Sequence, residues 1–156
     1  MNDELFSVQD RVTLVSGGSR GIGRGIAEGF AKRGAQVVIT GRDQETLDQT
    51  AKEISTDDAE VVPLVCDVAD PDAVSQLVES VTQRFGKIDV LINVAGVNRR
   101  KRAEQVSVED YDFILDINLK GAFLLSVAAG KGMLERKSGV QINIASLNTL
   151  RPLKGV

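Results

Sequence analysis

Short apolar runs alternate with helical stripes along the whole chain. Residues 12–15 form a largely β-branched run that stops at a glycine turn, which predicts a first strand. Ile22, Ile26 and Phe30, with Ala27 and Ala31 beside them, repeat at helical spacing over 21–33, and Gly34 ends that helix. Residues 37–40 predict a second strand stopped by Gly41, and Leu47, Ala51 and Ile54 mark a second helix. Residues 61–65 predict a third strand, and Pro63 within it points to a sheet edge because proline cannot donate to a ladder. Asp70 followed by Pro71 predicts a helix start, and Val74, Leu77, Val78, Val81 and Phe85 give that helix one apolar face before Gly86 closes it. Residues 88–92 predict a fourth strand. Ser107 and Asp110 have capping-box spacing and open a long helix running to about residue 135, and residues 140–145 predict a fifth strand.

Strands apolar on both faces, separated by helices, imply a parallel sheet covered on both sides. The expected architecture is therefore α/β, a Rossmann-type doubly wound parallel sheet of five strands in a single domain. A length of 156 residues agrees with one domain. No linker, repeat or low-complexity segment interrupts the pattern.

Composition narrows the chemistry. Apolar residues make up 42% of the chain, too many for a disordered polymer. The balance of 19 Lys and Arg against 22 Asp and Glu gives a net charge of -3, with no general attraction to nucleic acid or an anionic membrane. The chain has no His and one Cys, so His triads, His metal sites and disulfide frameworks are out of reach, and no metal-ligand spacing is present. Cys66 reads as a small core residue. The acidic start Met1-Asn2-Asp3-Glu4 lacks a signal-peptide pattern, and no apolar run reaches the ~18 residues of a membrane span. The expectation is a soluble, cytoplasmic protein acting on a small molecule.

The glycines concentrate in Ser16-Gly17-Gly18-Ser19-Arg20-Gly21-Ile22-Gly23, between the first strand and the first helix. A strand feeding a helix N-terminus presents backbone N–H groups and the positive end of the helix dipole, and glycines let a pyrophosphate approach them. The spacing Gly17-x-x-x-Gly21-x-Gly23 is not the usual G-x-G-x-x-G. Gly18-x-x-x-x-Gly23 matches P-loop glycines, but Arg24 and Gly25 stand where that loop needs Lys and Ser or Thr, which excludes an NTPase.

This spacing, with the hydroxyl of Ser16 before it, resembles the short-chain dehydrogenase/reductase family, which usually has Thr at that position. Further matches follow in order over essentially the whole chain. Asp67-Val68 follows the third strand, where the family's Asp contacts adenine. Asn93-Val94-Ala95-Gly96 is similar to the family's Asn-Asn-Ala-Gly, with Val94 in place of the second Asn. Asn118 matches the family's catalytic Asn, and Ser146, at the end of Ile142-Asn143-Ile144-Ala145-Ser146, matches its catalytic Ser. The resemblance implies cofactor contacts from Ser16, Gly17, Ser19, Arg20, Gly21, Ile22, Gly23, Arg42, Asp67, Val68, Asn93, Ala95 and Gly96. Structural readings stand beside these: Asn93 also fits a bridge between strands, Asn118 a satisfied polar residue in an apolar helix, Asp67 and Ser146 turn residues.

NAD-binding folds of this architecture place a carboxylate at the end of the second strand to hold the ribose hydroxyls. Here the stretch reads Thr40-Gly41-Arg42, and Arg20 lies in the glycine turn. Arginine pairs with a 2′-phosphate where an Asp repels it. The expected cofactor is NADP, with NAD the alternative. Arg42 also argues against a methyltransferase-type nucleotide fold, whose second strand normally ends in an acidic residue.

The resemblance implies hydride transfer between nicotinamide and a carbonyl or secondary alcohol. Ser146 would bond the substrate oxygen and Asn118 a relay water, while a Tyr-x-x-x-Lys pair after the Ser would exchange the proton. That pair is absent. Tyr111, the sole Tyr, precedes Asn118 and has Leu115 four residues on. The chain is therefore expected to stop before the motif, leaving either the N-terminal portion of an oxidoreductase or a nucleotide-binding fragment without turnover. The basic run Arg99-Arg100-Lys101-Arg102 and the stretch 143–148 are similar to sugar-acid dehydrogenases of the gluconate 5-dehydrogenase and 2-deoxy-gluconate 3-dehydrogenase type, with 3-oxoacyl-carrier-protein reductase the rival. The run fits steering of a carboxylate substrate, or a solvated loop. Leu124, Val127, Ala128 and Leu134 of the long helix fit either an oligomer face, giving a homodimer or tetramer, or the covering of the sheet.

Overall fold

The computed structural model describes residues 6–57 and 59–147. Five parallel strands form one sheet in the order β3-β2-β1-β4-β5: β1 (Val12–Ser16), β2 (Gln36–Gly41), β3 (Val61–Val65), β4 (Val90–Asn93) and β5 (Val140–Asn143). The predicted doubly wound α/β sheet is what the chain forms. Pro63 lies on β3, an edge strand, in agreement with the missing donor. Helices α1 (Gly21–Ala31) and α2 (Gln44–Ile54) cover one face through Val15, Val37, Ile39 and Ile92. Helices α3 (Pro71–Phe85) and α5 (Ala122–Glu135) cover the other through Leu14, Val38, Val62 and Leu91. Neighbours such as Val37 and Val38 thus serve opposite cores, which is why the strands read as unbroken apolar runs.

The chain reverses from one half of the sheet to the other between β3 and β4, so the carboxyl ends of β1 and β4 open side by side. Open α/β sheets place ligands at this crevice. At the opposite end, Asp89 ties the sheet's entry together. Its buried carboxylate accepts from the Val12 amide at 3.0 Å and pairs with Lys87 at 3.1 Å and Arg11 at 3.9 Å. Burial disfavours the charge, but the Val12 amide, Lys87 and Arg11 outweigh it and hold the carboxyl below its usual range. A depressed carboxyl contributes stability above its unfolded pKa of about 4, and loses it as pH falls through the folded value. Asp89→Asn should therefore reduce the drop in urea midpoint between pH 7 and pH 3. An unchanged drop would show that other carboxylates carry it.

The long helix predicted from residue 108 to about 135 is continuous in direction but changes winding. Helix α4 (Val108–Leu115) passes into a π turn (Asp116–Gly121) before α5. A Cβ on Gly121 would stand 2.7 Å from the Val68 side chain, so the turn presses its backbone onto the β3–α3 connection. Such single π turns often occur at functional positions. Val108–Glu135 is also long and apolar enough, by length and composition, to cross a membrane, which corrects the sequence expectation of no such run. Within α5, Leu125, Ala129 and Met133 are buried in the core beneath the sheet, while only 22% of the apolar window is buried. The four residues read as a single face divide: Leu124 and Ala128 pack on the core, whereas Val127 and Leu134 are exposed, Leu134 at 80%. The predicted strands 88–92 and 140–145 are shorter in the ladder, although Ile144 still donates to the Asn93 carbonyl at 2.9 Å.

Candidate active site

A cleft of about 620 Å³ lies at the carboxyl ends of the strands. Its floor is the glycine turn, with Gly17, Ser19, Arg20, Ile22 and Gly23. Gly41, Arg42, Asp43 and Thr46 form one side; Cys66, Asp67 and Val68 form another. Val94, Ala95, Gly96 and Val97 form the wall after β4, with Ile117 above.

The glycines serve different needs. A Cβ on Gly17 would lie 2.8 Å from Ala95 Cα, and one on Gly23 would run into the Gly17 carbonyl, 2.8 Å from its carbon. Gly21 has open space around it but a φ of +55°, a conformation that costs an L side chain energy. The turn is held from outside: Gly18 N donates to Thr40 O at 3.1 Å, and Thr50 Oγ1 donates to Ser19 O at 2.8 Å.

The first helix stands apart in its capping. Asp43 caps α2, Asp70 caps α3 and Ser107 caps α4 through side-chain oxygens. At α1 the cap residue Arg20 supplies no side-chain acceptor, and the first turn has no acidic residue. Its amides at the cleft floor are thus left to an external anion. Arg20 and Arg42 both line the cleft, and among the described residues neither is in an ion pair. Asp43 lies beside them, but its Oδ1 is spent on Thr46, accepting from the amide at 2.8 Å and from the hydroxyl. The Thr46 hydroxyl first, then its amide, with Arg20 a further cause, hold this carboxyl below the usual range. The cradle, the uncapped helix end and the two arginines fit a phosphorylated dinucleotide.

Most of the predicted cofactor residues meet here: Gly17, Ser19, Arg20, Ile22, Gly23, Arg42, Asp67, Val68, Ala95 and Gly96 all line the cleft. Ser16 does not. It is buried, and its hydroxyl accepts from Val94 N at 3.1 Å and Ala95 N at 3.3 Å, fixing the cleft wall to β1. Asn93 is also behind the wall: its Nδ2 donates to Asn143 Oδ1 at 2.9 Å, Ser126 Oγ at 3.0 Å and Ala122 O at 3.4 Å. Asn118, on the π turn, clasps Val97, accepting from its amide at 2.7 Å and donating to its carbonyl at 2.9 Å. Ser146 follows β5, exposed and outside the cleft lining. Tyr111 is exposed on α4.

The sequence reading missed Asp43, Thr46, Val97 and Ile117 as cleft residues, and Gly41, Cys66 and Val94 line the cleft without having been assigned to it. Asp43 and Thr46 had a usable signal, the cap spacing that opens α2. Asp67 turns its carboxylate to Ala69 N at 3.0 Å, and burial, then Asp67 and Asp70, push the Cys66 thiol up to about 11, so it is an inert wall residue. In the basic run, Arg99 pairs with buried Asp110 at 3.0 Å and Lys101 pairs with the same carboxylate, so half of the run is committed within the fold.

The model of the short chain dehydrogenase family matches residues 11–156. D-threitol dehydrogenase of Mycolicibacterium smegmatis is 39% identical over 141 residues, 90% of this chain and 54% of that protein. Gluconate 5-dehydrogenase of Gluconobacter oxydans is 37% identical over 146 residues, 94% of this chain and 57% of that protein. The chain thus spans little more than half the length of these relatives. A metagenomic short-chain oxidoreductase solved in complex with NADP superposes with a TM-score of 0.89 at 35% identity, over 94% of this chain and 67% of that one. A short chain dehydrogenase from Bacillus anthracis gives 0.90 at 36% identity, over 94% and 61%. With the glycine cradle, the crevice between β1 and β4 and a family match over nearly its whole length, the chain belongs to the short chain dehydrogenase family.

Proposed function

We propose that this chain is the cofactor-binding portion of an NADP(H)-dependent oxidoreductase that interconverts a carbonyl and a secondary alcohol, the substrate being a sugar acid. The observation that carries the cofactor choice is the pair Arg20 and Arg42, both in the cleft and outside any described ion pair, with no carboxylate ending β2. The amides opening α1 hold the pyrophosphate, and the two arginines pair with the 2′-phosphate. Asp67 and Val68 border the adenine, and Ala95 and Gly96 form the opposite wall. The nicotinamide, when bound, supplies or accepts the hydride. Ser146 donates a hydrogen bond to the substrate oxygen, and Asn118 holds a water for proton exchange. The family's proton relay also uses a Tyr and a Lys, and no Tyr-x-x-x-Lys pair occurs within these 156 residues. The complete enzyme is a cytoplasmic homodimer or tetramer, assembled in part through the exposed side of α5.

The sugar-acid reading rests on the likeness to gluconate 5-dehydrogenase. The test is one set of measurements. The chain should bind NADPH at least tenfold more tightly than NADH at moderate salt, and Arg42→Asp should remove that margin, each tenfold corresponding to about 1.4 kcal/mol. The complete protein should reduce 5-ketogluconate faster than an acetoacetyl thioester. Equal binding of both cofactors overturns the NADP choice, and preference for the thioester replaces the sugar acid with the carrier-protein reductase activity.

A further inference from the structure

The segment that continues the cleft wall, residues 94–102, is neither helix nor strand. Beyond the Ser16 bonds at its start, Asn118 clasps Val97 through two hydrogen bonds. Its far end reaches a single carboxylate. Asp110 is only 4% exposed, and it accepts from Arg99 Nη1 at 3.0 Å, from Lys101 Nζ, and from the Ser107 amide at 3.3 Å. The Arg99 guanidinium also lies 3.8 Å from the centre of the Phe113 ring, on the next turn of α4.

Capping α4 does not require all of this. Ser107 Oγ already accepts from the Asp110 amide at 3.2 Å, and the reciprocal bond to Ser107 N completes the box. The pairing with Arg99 and Lys101 is additional. Arg99 and Lys101 are alternate residues, the two-residue period of an extended chain. Arg100 and Arg102, between and after them, are exposed and in no ion pair among the described residues.

We propose that Asp110 is a positioning residue for the cleft: by drawing Arg99 and Lys101 into one buried cluster it fixes the outer end of the segment whose inner end, Val94 to Val97, forms the cofactor wall, and leaves Arg100 and Arg102 as the part of the basic run open to an anionic ligand. The inference rests on the cofactor reading of the cleft. Two linked cations and their shared carboxylate form a unit, so removing the carboxylate frees both anchors and leaves two like charges side by side.

The test compares Asp110→Asn, Arg99→Gln and Ser107→Ala in the full chain, using NADPH as probe and amide hydrogen exchange over residues 97–102. Asp110→Asn keeps an acceptor for the Ser107 amide but removes the charge. It should speed exchange over 97–102 and weaken NADPH binding about 5–10-fold, the low end of coupling between separated sites. Arg99→Gln should do the same in smaller measure, and decides the matter if Asp110→Asn does not fold. Ser107→Ala, which weakens the helix cap alone, should lower Tm while leaving both readouts unchanged. The sign is diagnostic, because removing a negative charge beside an anion site tightens binding if only the net charge matters. Unchanged exchange in both anchor variants, or NADPH binding as tight as in the unaltered chain, overturns the inference. Failure of the unaltered chain to bind NADPH instead defeats the cofactor reading, and the exchange measurements still decide the anchoring.

Discussion

Replacing Gly23 with alanine is expected to abolish NADPH binding, with at least a hundredfold loss of affinity. The new Cβ would collide with the Gly17 carbonyl, and Gly18 Cα would lie 3.2 Å away. The turn has no room to retreat. Gly17 is already pressed on the Ala95 backbone, a Cβ on Gly18 would lie 2.7 Å from the Ile39 side chain, and hydrogen bonds to Thr40 and from Thr50 fix its back. The clash must therefore move the α1 amides that the cofactor reading assigns to the pyrophosphate. Overpacking of this kind costs typically about 1–3 kcal/mol of stability, and a hundredfold loss of affinity corresponds to about 2.8 kcal/mol. Gly25→Ala, two residues along the same helix, meets nothing within 4 Å. It should leave affinity intact and stabilise the helix by about 0.5–1 kcal/mol. Fluorescence titration with NADPH and thermal melts of the two variants check this. Similar behaviour of the two would mean that the close approach of Gly23 to Gly17 does not shape the site.

Asn93→Ala is expected to give the second large effect, this time on stability. One amide nitrogen joins the end of β4 to Asn143 on β5 and to Ser126 and Ala122 on α5. Removing it strips a buried donor from three acceptors on two other elements. Each lost hydrogen bond is worth about 0.5–1.5 kcal/mol net, and the space left by the buried side chain adds to it, so a loss of roughly 2–4 kcal/mol is expected in urea unfolding. Because β5 pairs with β4 alone among the described residues, with Val140 and Ile142 exposed, it depends on such ties more than an inner strand does. Asn118→Ala removes a bidentate clasp at an exposed position and should cost no more than about 1 kcal/mol. A smaller loss for Asn93→Ala than for Asn118→Ala would show that the strand ladder alone secures β5.

The elements of this protein were legible because their signals are local. Strand runs, helical stripes, the Asp70-Pro71 start, the Ser107–Asp110 box and the edge position implied by Pro63 depend on neighbours a few residues apart. The glycine spacing was legible for the same reason, and the structure adds a separate physical cause for Gly17, Gly21 and Gly23. The alternation of strands and helices was enough for the parallel, doubly wound sheet, since few topologies satisfy short right-handed crossovers.

Tertiary structure decided which partners the polar residues outside the helix caps bond. Ser16 meets its partners 78 and 79 positions away, and Asn93 reaches 50 positions to Asn143, so no local pattern assigns their bonds. The basic run 99–102 is uniform in sequence, yet one buried carboxylate divides it into committed and open charges. The helix beginning at residue 108 reads as unbroken because its apolar stripe is continuous; the π turn arises where its backbone meets Val68, a contact between distant segments. Periodicity reports which face a residue turns inward, but a hydrogen bond or ion pair depends on which distant group waits there, and only the folded chain specifies that.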